Sequence, residues 1–170
     1  GVDGLGVCCG SPGWCPPASV APGLRPGPVA AGAVRPSLLV PPDLQLVLAT
    51  IRATVSCELQ AVTLEADPET INAIKAAAWA AVGINRVSFG VQSFSELELA
   101  AVGRMHRRAD IYRAVPILRN AGIRNISFDL IAGLPLQTRE SWGESLRRLI
   151  ELAPEHVSAY FLDVDEKRRP

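Results

Sequence analysis

Neither sign of charge predominates in these 170 residues, because seventeen Lys and Arg are balanced by seventeen Asp and Glu. A strongly basic chain, the usual electrostatic footprint of a nucleic-acid or anionic-membrane binder, is thereby excluded. Long apolar runs are missing too. None approaches the roughly 20 residues that span a bilayer, and the N-terminus lacks the basic start and apolar core of a secretory signal. Cysteine is scarce and unevenly placed, at Cys8, Cys9, Cys15 and Cys57. A secreted disulfide scaffold would be shorter and denser in cysteine, so reduced thiols and a cytoplasmic location are expected. With 48% hydrophobic and 20% charged residues, the chain has the material for one domain with a real core.

Regular periodicity is also absent from the first part of the chain. Residues 1–42 hold nine of the fourteen prolines and eight of the fourteen glycines, and only Asp3, Arg25 and Arg35 are charged there. No strand or helix period survives that punctuation, and the segment reads as mostly irregular.

From Asp43 the texture changes. Leu44, Val47, Leu48, Ile51 and Val55 follow helix spacing, and residues 61–68 form a short strand ending at Glu65. Asp67 then caps a helix with Pro68 at its first position, carrying Ile71, Ile74 and Ala78 and stopping at Gly83. A strand over 86–94 precedes a helix from about Ser95, with Ser93 and Glu96, or Ser95 and Glu98, as a capping box. Residues 109–122 are helical in pattern, with Pro116 expected to kink or split them. Residues 125–135 give a strand with its loop. Thr138 opens a helix with Trp142, Leu146, Leu149 and Ile150, and residues 156–164 give a last strand.

Strand and helix therefore repeat three times and finish with a fourth strand, the order of parallel strands joined by right-handed crossovers. Parity separates an open doubly wound sheet from part of a (β/α) barrel. Strands covered on both faces read as continuous apolar runs, and these alternate. Val87, Phe89 and Val91 interleave with Ser88, Gly90 and Gln92; Ile126, Phe128 and Leu130 interleave with Ser127 and Asp129. Val62 and Leu64, and later Val157, Ala159 and Phe161, behave likewise. One face suits covering helices, and the other suits a polar lumen. The expected fold is α/β, a partial (β/α) barrel, with Glu65, Gln92 and Asp129 near the strand ends where barrels bind ligands.

Four stretches in order, TLEADPET (63–70), NRVSFGVQSF (85–94), GRMH (103–106) and NISFDLIAGLPLQT (125–138), resemble the radical S-adenosylmethionine family. The branch is similar to the oxygen-independent coproporphyrinogen III oxidase group and most of all to its HemW-type haem chaperones. PSLLVPPDLQ (36–45) starts the match and HVSAYFLDVD (156–165) continues it. The resemblance implies the last four strands of a six-stranded partial barrel over residues 37–165. A non-matching segment, 1–36, precedes it, and a tail, 166–170, follows. It further implies S-adenosylmethionine across the strand ends, in contact with Glu65, Gln92, Arg104 and Asp129. The residue types suit that ligand. Carboxylates accept from its ammonium and ribose hydroxyls, an amide serves either role, and an arginine grips its carboxylate. Singly, each residue has a plainer role: Glu65 or Asp129 ordering a turn, Gln92 satisfying loop backbone, Arg104 as a helix-end cation. His106 and His156 read as surface or turn residues rather than metal ligands.

The family pattern also fails in places. Its CxxxCxxC loop, whose thiolates hold a [4Fe–4S] cluster, has no counterpart, and the spacing of Cys8, Cys9 and Cys15 does not reproduce it. Where a GGGTP segment would precede the match, the chain reads AGAVRPSLL (31–39). A truncated, frame-shifted or divergent copy is expected, unable to perform radical chemistry as it stands, with porphyrin or haem metabolism as the implied setting. Whether it is an enzyme stays open. The alternatives are a non-catalytic nucleotide- or haem-binding module, or an unrelated barrel enzyme using Asp129 or Glu65 as acid or base. The implied partners are small molecules, with no nucleic acid and no membrane span. The first matching strand would leave an exposed edge unless residues 1–36 cover it.

Overall fold

A computed structural model of the chain describes residues 5–8, 29–31, 39–54 and 61–162. Its strands are β1 (Leu5–Cys8), β2 (Val29–Ala31), β3 (Ala61–Ala66), β4 (Arg86–Gln92), β5 (Asn125–Ala132) and β6 (His156–Phe161). Its helices are α1 (Pro41–Thr54), α2 (Ala73–Ala81), α3 (Glu96–Ala101), α4 (Arg108–Asn120) and α5 (Arg139–Leu152).

All six strands form one sheet in the order β2-β1-β3-β4-β5-β6. From β3 to β6 the pairing is parallel and never reverses direction across the sheet. Right-handed crossovers in one unbroken direction put every connecting helix on the same face, the winding of a barrel; a doubly wound sheet reverses at a switch point. The parity argument thus describes the actual sheet. Val62, Leu64, Val87, Phe89, Val91, Ile126, Phe128 and Leu130 are buried in one cluster with Trp79, Ile111 and Leu118 of the helices. Phe89 and Phe128 pair directly across β4 and β5, with ring centroids 5.6 Å apart.

Several local expectations are corrected. Within the Pro/Gly-rich segment, expected to be mostly irregular, the described residues include two short strands: β1 pairs antiparallel with both β2 and β3, with Leu5 opposite Leu64 and Cys8 opposite Ala61. Open backbone donors and acceptors on β3 supply the driving force, which no side-chain period reveals in strands of four and three residues. α2 begins later than expected, capped by Asn72, whose side chain accepts from Lys75 N at 2.9 Å. The later start turns Ala76 and Trp79 inward and leaves Ile74 83% exposed. α4 is not split, running from Arg108 to Asn120 through Pro116. Ile111, Ala114, Val115 and Leu118 are buried along it and offset the hydrogen bond that proline removes. Phe161 shares the parity of Val157 and Ala159, which predicts a helix-facing side, yet it is 85% exposed. The strand exists, but among the described residues no helix covers it.

Candidate functional site

Three helices end in the same way, and one of those ends delivers a site residue. At the end of α2, Gly83 N–H donates to Ala80 O and Ile84 N–H to Trp79 O, both at 3.0 Å. At the end of α4, Gly122 donates to Arg119 O and Ile123 to Leu118 O. Both are Schellman motifs, and in both the residue after glycine is an isoleucine buried in the core. α3 closes identically on Gly103, at φ 69°, and Arg104, whose N–H donates to Leu99 O at 2.9 Å. Arginine stands here in place of the isoleucine plug. Its Nη1 donates to Asp67 Oδ1 at 3.2 Å, so Asp67 anchors a guanidinium instead of capping a helix.

Gln92 reaches the same place from β4. Between Phe89 and Gln92 the register slips: Phe89 faces Phe128 and Gln92 faces Leu130, three steps against two. One extra residue therefore bulges from β4. Gln92 takes φ 61° while Ser93 N–H donates to Val91 O at 2.7 Å. The result is a γ-turn centred on a non-glycine residue, a strained arrangement of the kind that collects at ligand sites. A β-carbon on Gly90 would lie 3.0 Å from Gln92 Nε2 and 3.2 Å from Arg104 Nη2. The missing side chain lets amide and guanidinium converge.

On the same strand Ser88 donates from Oγ to Asp129 Oδ2 at 3.1 Å, and Glu65 lies directly opposite Ser88 in the β3–β4 register. Glu65 and Asp129 are half-buried, and Gln92 is buried. All four expected residues therefore gather around Ser88–Gly90 at the C-terminal end of the parallel strands. The set offers two carboxylate acceptors, one amide and one guanidinium, which suits a ligand with a cation or hydroxyls at one end and an anion at the other.

Behind this face lies a buried polar network that sequence reasoning did not find. Ser93 Oγ donates to Glu98 Oε2 at 2.7 Å, and Gln137 Nε2 donates to the same oxygen at 3.0 Å. Gln137 Oε1 accepts from Gly133 N at 2.7 Å, and Ser145 Oγ accepts from Phe94 N at 3.2 Å. These bonds tie the loop after β4 to the loop after β5. Neither expected capping box forms, since Ser95 makes no side-chain cap bond and Ser93 bonds Glu98 instead. The Ser and Glu were visible in the sequence, but their burial was not. His156 is exposed, as expected, and holds Ser127 through Nδ1 at 2.9 Å. His106 is not at the surface: it is 2% exposed, and nothing in the neighbouring Met105 and Arg107 announces that.

A profile of the radical SAM superfamily matches residues 29–149. The chain belongs to the radical SAM superfamily. Among curated radical SAM relatives, it is 39% identical to the heme chaperone HemW of Escherichia coli over 135 residues, 79% of this chain and 36% of that protein. It is 35% identical to the oxygen-independent coproporphyrinogen III oxidase of Bradyrhizobium diazoefficiens over 130 residues, 76% of this chain and 29% of that protein. The chain spans about a third of the length of these relatives. The solved structure of coproporphyrinogen III oxidase (HemN) from Escherichia coli, a radical SAM enzyme, superposes with a TM-score of 0.68 at 29% identity. That match covers 75% of this chain and 30% of the enzyme.

The radical SAM superfamily uses S-adenosylmethionine and a [4Fe–4S] cluster, and the two fit this chain unequally. The small-residue cradle at Gly90, with an amide, a guanidinium and two carboxylates around it, fits the first. For the cluster, the described residues supply no ligand set. Cys8 is the single cysteine among the described residues and pairs with Ala61, four residues below Glu65 and hence about 13 Å away along the strand. Among the described residues no group of three His, Cys, Asp or Glu could hold a metal ion.

Proposed function

We propose that the chain binds S-adenosylmethionine at the C-terminal end of β3–β5, as a HemW-like radical SAM protein of porphyrin or haem metabolism. The observation that carries this reading is the convergence of Gln92 and Arg104 over Gly90, beside the Ser88–Asp129 pair. In it, Arg104 takes the methionine carboxylate as a bidentate donor, preset by Asp67. Glu65 and Asp129 accept from the ammonium and the ribose hydroxyls, without assignment of which takes which. Gln92 bridges the remaining donor and acceptor positions. S-adenosylmethionine supplies an electrophilic sulfonium, and this chain's residues bind and orient it.

Haem or a porphyrin is the proposed second partner, on the similarity to HemW and coproporphyrinogen III oxidase. No described helix is long and apolar enough to cross a membrane, and a cytoplasmic setting goes with the reading. The place of Cys8 at the opposite end of the sheet favours binding without radical chemistry by the chain as it stands. Titration calorimetry with S-adenosylmethionine tests the proposal: the wild-type chain binds, and Asp129→Ala weakens binding by tenfold or more, about 1.5–3 kcal/mol for a charged hydrogen bond. Equal affinity in both removes the site assignment. Anaerobic reconstitution with iron and sulfide, followed by an assay for 5′-deoxyadenosine, tests the second part; product formation would refute it.

A further inference from the structure

We infer that His106 is a positioning residue that holds the Gln92 turn in its binding geometry; the inference rests on the reading that this pocket takes S-adenosylmethionine. His106 is buried, and its Nε2 lies 3.1 Å from Val91 O. A carbonyl only accepts, so Nε2 carries the proton and donates. That carbonyl is the same one that receives Ser93 N–H at 2.7 Å and closes the γ-turn. One oxygen therefore takes two donors, and its direction fixes the peptide plane from which Gln92 departs at φ 61°. A strained turn persists only where its surroundings over-determine it, and the second donor is that surrounding. His106 also closes on the turn after β3. Its Nδ1 stands 3.9 Å from Glu69 Oε2, and neither atom has a hydrogen bond among the described residues. Two residues before His106 in the chain comes Arg104, and two before Glu69 comes Asp67, the partners of the 3.2 Å pair beside Gly90. The imidazole thus joins β4 to the turn of Asp67 and Glu69 from the segment that bears Arg104.

Two polar replacements separate this role from simple packing. Gln at position 106 carries its amide nitrogen near the place of Nε2 and can still donate to Val91 O; Asn carries it near Nδ1 and cannot. In the ligand-free chain, amide hydrogen exchange at Ser93 reads the turn directly. His106→Asn is expected to speed it about tenfold, and His106→Gln to leave it within threefold of wild type. In calorimetry, His106→Asn is expected to raise the Kd for S-adenosylmethionine about tenfold, with His106→Gln restoring it. Adding Gln92→Ala to His106→Asn should then cost less than it does in the wild type, because the turn is already released. Equal Ser93 exchange in the Gln and Asn variants, within twofold, overturns the inference. If the wild-type chain binds no S-adenosylmethionine, the reading of the pocket fails, while the Ser93 measurement still decides what His106 does.

Discussion

Gly90→Ala separates the binding site from the fold more cleanly than any change to a charged residue. Gly90 lies in a strand and its φ is outside the left-handed range, so alanine meets no backbone strain. Replacing a mid-strand glycine lowers the entropy of the unfolded chain, and stability should rise or hold by about 0.5 kcal/mol. The new methyl carbon would arrive 3.0 Å from Gln92 Nε2 and 3.2 Å from Arg104 Nη2, tighter than most such contacts. Both neighbours are tips of flexible side chains, so they give way and the backbone does not. Displaced by a few tenths of an ångström, the pair meets a carboxylate and an adenosyl group less well together. The loss of one charge-assisted bond costs about 1.5–3 kcal/mol, or roughly 10- to 150-fold in Kd. Calorimetry with S-adenosylmethionine reads the affinity, and urea denaturation reads the stability. A variant as stable as wild type that binds within twofold of it would refute the convergence of Gln92 and Arg104 as the basis of binding.

Asp67→Asn keeps the size of the side chain and removes the charge that presets Arg104 at 3.2 Å. Both partners are mostly buried, so affinity is expected to fall about threefold to tenfold; calorimetry showing no loss would leave Arg104 self-positioning. On α5, hydrogen bonding from Arg147 holds the Glu144 carboxyl below its ordinary value of 4.5. A lowered folded value means its small contribution is present above about 4.5 and lost as pH falls through that lower value. The urea midpoints of Glu144→Gln and wild type should therefore differ slightly at pH 7 and draw together as the pH falls below 4.5; a gap that widens in acid would contradict the assignment.

Much of this site follows from period alone. Ser88, Gly90 and Asp129 fall on one face because side chains alternate along a strand, and the parallel register then brings Glu65 beside Ser88. Arg104 came only from the family resemblance, since a residue after Gly103 reads by itself as a helix-end cation; the Gly-Arg end of α3 beside the Gly-Ile ends of α2 and α4 is seen in the structure. What could not be read depends on contacts distant in sequence. The bulge before Gln92, the burial of Glu98 and His106 and the pairing of Asp67 with Arg104 each need a partner from another element. β1 was hidden for a related reason: its backbone is recruited by the open edge of β3, and edge pairing leaves no mark on side-chain composition. Ile74 shows how little displacement suffices, since a shifted helix start turns an expected core residue to solvent.

The direction of β1 bears on chemistry as well as on topology. In a parallel (β/α) sheet, each strand delivers the loop that follows it to the C-terminal face, where ligands bind. β1 runs the other way, with Leu5 opposite Leu64 near that face and Cys8 opposite Ala61 at the far end. The backbone of Cys8 therefore lies level with Ala61, four residues or about 13 Å along β3 from Glu65. The edge that a cluster-bearing parallel strand would need is already hydrogen-bonded to β1. Cluster assembly beside this site from Cys8 would require breaking that pairing, whereas ligand binding over Gly90 requires no change in the sheet. On the reading proposed above, ligand binding over Gly90 is therefore separable from cluster assembly, and anaerobic reconstitution tests that separation.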